Sequence, residues 1–169
     1  MPRVFDGFED HDCIHVLDVG DAASSTVEFL APYRCKVFVM DLADVSAADA
    51  AAGAYVDLFN DYEGVLFDVI LFWDLLHRLD GDSLAALSDA LRPCLYSQTK
   101  VHSICHYAPS EAREAYRING RDQLQVTNAK PMAYRPWSQA AFSREFDCMR
   151  IVDDTLTPNG RLELLLQAD

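Results

Sequence analysis

Carboxylates stand where apolar runs end. Asp18 closes Ile14-His15-Val16-Leu17, Asp41 closes Lys36-Val37-Phe38-Val39-Met40, Asp57 sits in Tyr55-Val56-Asp57-Leu58, and Trp73-Asp74 ends the run from Phe67. Buried strands that end this way place their acids at the carboxyl edge of a parallel sheet, where ligands bind at reversals of strand order. Gly20 and Asp21 follow Asp18 directly, so the first such turn is acidic as well as tight. A pyrophosphate there would meet Asp18, Asp21 and Asp41 at cost on the order of 1–4 kcal/mol per contact. A cationic ligand without phosphate suits the loop. His77, in Leu75-Leu76-His77, follows the longest run, and its imidazole can act as a base near neutral pH.

Other groupings are less suited to chemistry. On a strand, His102 and His106 would point the same way but lie ~13 Å apart, too far to share one ion. Cys105 between them and the His11, Cys13 and His15 group do not improve that geometry, so no metal site is expected.

The elements that would hold these residues alternate. Ile14–Asp18 reads as a strand, followed by a helix capped through the Ser25 and Glu28 pattern. Lys36–Asp41 is a second strand, Ser46–Ala52 a helix by its alanines, and Tyr55–Leu58 a weaker third strand. Phe67–Trp73 is continuously apolar apart from Asp68, as a central parallel strand requires. A helix from Asp82 to Leu91 follows, capped by Asp80 or Asp82 and stopped by Pro93. Val101–Tyr107 is the fifth strand.

The pattern then changes. Asn119-Gly120 lies between two strand-like segments and predicts a two-residue hairpin turn. A helix over Glu111–Asn119 capped by Gly120 competes with it. A helix over Trp137–Phe146 precedes a closing hairpin, Met149–Leu156 and Arg161–Gln167. The expectation is one α/β domain over 1–169. It is a three-layer Rossmann-like sandwich with a mostly parallel seven-stranded sheet, its last strand antiparallel. Residues 107–134 form a small hairpin insertion or lid after the fifth strand.

Composition narrows the partners. The chain has 169 residues and a formal charge of −13. Residues 1–99 hold 5 Lys/Arg against 18 Asp/Glu, whereas 100–150 hold 8 against 5. Such acidity opposes nucleic acid and anionic membranes. No apolar run approaches the ~20 residues of a membrane helix. The acidic start lacks a secretory pattern, and five scattered cysteines suit a reducing, cytoplasmic setting.

Four segments carry a family resemblance. His15-Val-Leu-Asp-Val-Gly-Asp-Ala-Ala-Ser-Ser-Thr-Val-Glu-Phe-Leu30 is similar to motif I of the class I S-adenosylmethionine-dependent methyltransferases. Val37–Leu42 resembles their second motif, and Phe67–Pro93 the segment from the fourth strand through the next helix. The closing hairpin resembles the pair that ends their sheet. The resemblance implies S-adenosylmethionine as cofactor, held by Asp18, Gly20, Asp21, Ala22 and Trp73. Asp41 would take the ribose hydroxyls, Leu42 would pack on adenine, and Asp57-Leu58 would meet its amino edge. His77 takes the position of a family histidine, and Asp74 and Tyr107 would face the acceptor.

The glycine motif is degenerate. Ala22 and Ser24 replace the two glycines expected after Gly20, and Cys94-Leu95 follow Pro93 where two glycines are usual. A side chain costs little at negative φ and about 1–2 kcal/mol in the left-handed region. The signature of a polar residue, two prolines and an aromatic is absent after the fourth strand, which disfavours DNA or protein-amide methylation. A small-molecule acceptor is expected, anionic if Arg113, Arg117 or Arg121 lines its entrance, and otherwise neutral or cationic.

Two alternatives remain at this level. One is a non-catalytic scaffold of the same fold whose partner is a protein, with Tyr107, Tyr116, Tyr134 and Trp137 as its surface. The other is a response-regulator receiver using Asp74, Ser103 and Lys130-Pro131. A homodimer is compatible with either.

Overall fold

A computed structural model describes residues 2–8, 13–20, 24–42, 44–106, 112–120, 123–131, 137–157 and 160–169. Its centre is β3 (Val69–Trp73), in which all five residues are buried. A strand covered on both faces needs apolar side chains at successive positions, and Val-Ile-Leu-Phe-Trp supplies them. On one side it pairs in parallel with β1 (Cys13–Asp18), and on the other with β4 (Lys100–His106). β2 (Arg34–Val39) pairs in parallel with the far side of β1.

Beyond β4 the direction reverses. β8 (Arg161–Ala168) is antiparallel to β4, and β7 (Met149–Leu156) is antiparallel to β8. The sheet order is β2-β1-β3-β4-β8-β7. The chain passes from β1 outward to β2 and then back across to β3, so the switch point lies between the carboxyl ends of β1 and β3.

Helices cover both faces. α1 (Ser24–Leu30) and the short turn at Pro2–Phe5 border one apolar cluster, made by Val4, Val16, Leu30, Leu71, Trp73 and Ile104. The larger cluster lies beneath α2 (Ala47–Ala51), α3 (Ala54–Asn60), α4 (Gly81–Leu91) and α5 (Gln139–Glu145). Ser46, Asp80 and Ser138 cap α2, α4 and α5 by accepting from Asp49, Ser83 and Ala141 backbone N–H groups. These caps satisfy donors that a helix start leaves open.

The expected seven-stranded sheet is corrected to six strands. Tyr55–Leu58 is not a strand but part of α3. Its alternation suits a strand, but Tyr55 and Phe59 at i and i+4 both enter the core, and that period decides the element. Gly53, at φ +93°, supplies the left-handed turn that separates α3 from α2.

The insertion is a hairpin of β5 (Ala112–Gly120) and β6 (Gln123–Pro131), so the competing helix over Glu111–Asn119 is excluded. Asn119 and Gly120 do not form its turn. Gly120 pairs with Gln123, and an irregularity between Ile118 and Gly120 shifts the register beyond the expected position. Among the described residues, no helix is long and apolar enough to cross a membrane.

Candidate functional site

The switch-point crevice is bridged by one side chain. Trp73, the last residue of β3, donates its indole Nε1–H to Asp18 Oδ1 at the end of β1, at 2.6 Å. Both residues are 3% exposed. Trp73 has φ +54°, the only positive φ among the described non-glycine residues. The left-handed region costs a bulky residue about 1–2 kcal/mol and persists only where surroundings over-determine it. Those surroundings are explicit. Ser103 Oγ donates to the Trp73 carbonyl at 2.9 Å, and the ring stacks on Tyr116 with centroids 5.7 Å apart and planes 1° apart. His102 meets it edge-on at 5.9 Å.

Gly20 lies against the same indole. A Cβ at Gly20 would come within 3.3 Å of both Trp73 Cδ1 and Nε1, and 3.7 Å of Asp18 Oδ1. A side chain here would press on the indole, which would have to give by a few tenths of an ångström.

The β5–β6 hairpin covers the crevice. Ile118 N–H reaches Thr26 Oγ1 at 3.4 Å, and Glu114 N–H reaches Asp74 Oδ2 at 3.4 Å. Tyr116 donates to Glu114 Oε2 at 2.7 Å, while Arg161 donates to both Glu114 oxygens at 3.0 and 2.6 Å. Burial alone would raise the Glu114 carboxyl, but the Arg161 guanidinium and the Tyr116 hydroxyl hold it below its ordinary value. Burial, with Asp74 and Glu114 facing it, pushes the Tyr116 phenol up, so it remains a donor.

The anticipated residues separate into distinct environments. Asp18, Gly20 and Trp73 meet at the crevice. Asp41 lies two residues beyond β2, exposed, next to the strand end where Met40 N–H bonds Asp18 O at 3.0 Å. Leu42 is fully buried in the larger cluster. Asp57 and Leu58 are corrected: they ride on α3 and do not cap a strand, because the Tyr55/Phe59 period makes that segment helical. Asp21, Ala22 and Tyr107 lie outside the described residues.

Asp74 is wholly buried and accepts from Arg78 Nε at 2.8 Å and Nη2 at 2.5 Å. An acid so enclosed is not presented to an acceptor, nor to a phosphodonor as the receiver alternative requires. Ser103, engaged on the Trp73 carbonyl, is likewise unavailable to it.

His77 lies on the opposite face of the sheet from Trp73. It is 4% exposed, stacks on Phe142 at 5.1 Å, and places Nε2 2.6 Å from Cys105 Sγ. Burial lowers the imidazole to about 4, and burial raises the Cys105 thiol to about 12. The pair is therefore neutral. His102, Cys105 and His106 do not converge. His102 packs on Trp73, Cys105 on His77, and His106 Nε2 lies 3.3 Å from Tyr116 Oη.

Tyr116, Glu114 and Arg161 meet over the crevice, and the sequence did not single them out together. They share no sequence signal: Tyr116 belongs to the aromatic segment after the fifth strand, Glu114 is an acid within it, and Arg161 lies on the closing hairpin.

No protein-family model matches the chain, and no curated protein matches its sequence. Solved structures do match. An S-adenosylmethionine-dependent methyltransferase from Clostridium acetobutylicum has a TM-score of 0.54 at 13% identity, over 91% of this chain and 83% of that one. A putative type 11 methyltransferase from Sulfolobus solfataricus has 0.54 at 16%, over 100% and 89%. The Burkholderia thailandensis 1,6-didemethyltoxoflavin-N1-methyltransferase, solved with bound 1,6-didemethyltoxoflavin and S-adenosylhomocysteine, has 0.53 at 14%, over 92% and 71%. The chain thus has the fold of the class I S-adenosylmethionine-dependent methyltransferases. Identities this low carry the fold and nothing finer.

Proposed function

We propose that the chain binds S-adenosylmethionine across the carboxyl ends of β1 and β2 and is a methyltransferase for a small-molecule acceptor. The observation that carries this reading is the placement of Asp18 and Asp41 at adjoining parallel strand ends beside Gly20, in a sheet of methyltransferase topology. When bound, the cofactor supplies an activated methyl group and brings cationic sulfonium and ammonium centres. The acidic strand ends fit those charges, and exposed Asp41 is accessible to a ribose.

The β1 side fits only after a movement. With the indole over Gly20, the backbone there is covered, so Trp73 has to leave Asp18 before a ligand can lie against the turn. The Asp18 carboxylate then exchanges an indole N–H for a cation. Leaving costs a charge-assisted hydrogen bond of roughly 1.5–3 kcal/mol and an aromatic pair of roughly 0.5–1.5 kcal/mol. The strained Trp73 backbone offsets part of that cost.

The chain has two tryptophans, so Trp137→Phe leaves Trp73 as sole reporter. Titration of that variant with S-adenosylmethionine is expected to give a saturable change in Trp73 emission, absent when Asp41→Ala is added. No change at any concentration would refute the proposal.

The Trp73 bridge also supports a second reading, a non-catalytic scaffold in which the tryptophan permanently fills the hollow. In that case the parent chain would bind no S-adenosylmethionine at any concentration.

A further inference from the structure

A separate cavity of about 180 Å³ lies on the sheet face opposite Trp73, between α5 and the β4, β8 and β7 strands. An apolar cavity of ~150 Å³ holds benzene, and drug-sized ligands need at least ~300 Å³. One aromatic ring with a short arm is the size that fits. Phe142, Leu164 and Ile151 make its walls apolar.

The polar groups are divided by depth. Inside, Cys105 and His77 are committed to each other at 2.6 Å, so they present no charge. Trp137 borders the same space, and its Nε1–H is shielded from solvent with no acceptor among the described residues. This wall is therefore not a finished internal contact, since a buried donor left unpaired costs roughly 1–3 kcal/mol. Asp154, on β7, is exposed and also lines the cavity. Among the described residues it forms no ion pair, whereas Arg161 is committed to Glu114 and Arg78 to Asp74. A cavity lined by both a carboxylate and an indole suits an ammonium, through charge and through the ring face.

We infer that this cavity is a binding site for a small monocyclic arylalkylamine, its ring against Phe142 and Leu164 and its alkylammonium at Asp154. The site goes beyond the methyltransferase reading and does not depend on it, because Asp18, Gly20 and Trp73 do not line it; His106, which does, links it to the hairpin over the crevice at 3.3 Å from Tyr116 Oη.

Nitrogen-15 NMR titration of the full chain with benzylamine, benzyl alcohol and benzoate tests this. Benzylamine is expected to shift the Trp137 Nε1–H resonance saturably and to bind about tenfold or more tightly than benzyl alcohol, with benzoate weakest. Asp154→Asn should bring benzylamine down to the affinity of benzyl alcohol. Leu164→Trp, which fills the cavity, should abolish both, and Ile151→Trp serves if that variant does not fold. Benzoate binding as tightly as benzylamine would overturn the inference. So would failure of all three to saturate, or binding unaffected by a filling variant.

Discussion

The Trp73 indole and the Asp18 carboxylate, 55 residues apart in sequence, meet at 2.6 Å across the switch point of the sheet. This is where a fold of this kind receives its ligand. A left-handed tryptophan held by Ser103, Tyr116 and His102 makes the closure a built feature.

Replacing Trp73 by Phe keeps a ring against Tyr116 and removes the N–H. Chemical denaturation is expected to show a loss of about 1.5–3 kcal/mol, the range for a hydrogen bond to a charged acceptor. An unchanged midpoint would mean that the bond adds nothing to the fold.

Gly20→Ala places a methyl 3.3 Å from the indole, so the ring has to yield. Overpacking of this kind costs about 1–3 kcal/mol. Because phenylalanine lacks the indole Nε1, the double variant Gly20→Ala/Trp73→Phe should lose less than the sum of the singles. A double-mutant cycle checks this, and strict additivity would place the two residues out of contact.

Much of this arrangement is legible in the sequence. Asp18, the Phe67–Trp73 run and the closing hairpin announce their elements because buried parallel strands and antiparallel pairs write distinct patterns. Tyr55–Leu58 misleads because four residues fit either period, and only Phe59 in the core decides between them. The Trp73 closure was not legible. It depends on a positive φ and on a Tyr116 stack set by the hairpin register, and neither has a sequence signature.

Arg78 and Asp74 form an ion pair with both side chains 0% exposed. Arg78→Met leaves the carboxylate buried without its guanidinium and should cost about 3–5 kcal/mol in a thermal or denaturant melt. Asp74→Leu/Arg78→Met together should recover most of that loss. A single variant as stable as the parent would contradict the burial.

Acid should weaken the fold through His77. Its folded value, about 4, lies below the ordinary 6.5 because of burial. The unfolded chain therefore binds the proton first, so this stability is fully present above about pH 6.5 and declines as pH falls toward 4. The difference amounts to on the order of 3 kcal/mol. His102 and His106, also lowered first by burial, act in the same direction. Urea midpoints at pH 7 and pH 5 should differ, and His77→Leu should reduce the difference. An equal loss in that variant would assign the effect elsewhere.

Calorimetry with S-adenosylhomocysteine on the parent, Asp41→Ala and Trp73→Ala chains is the most direct measurement. The proposal predicts binding by the parent, loss with Asp41→Ala, and roughly tenfold or more tightening with Trp73→Ala, since the cost of opening the crevice is then removed. Folded parent and Trp73→Ala chains that both give no heat of binding would contradict it.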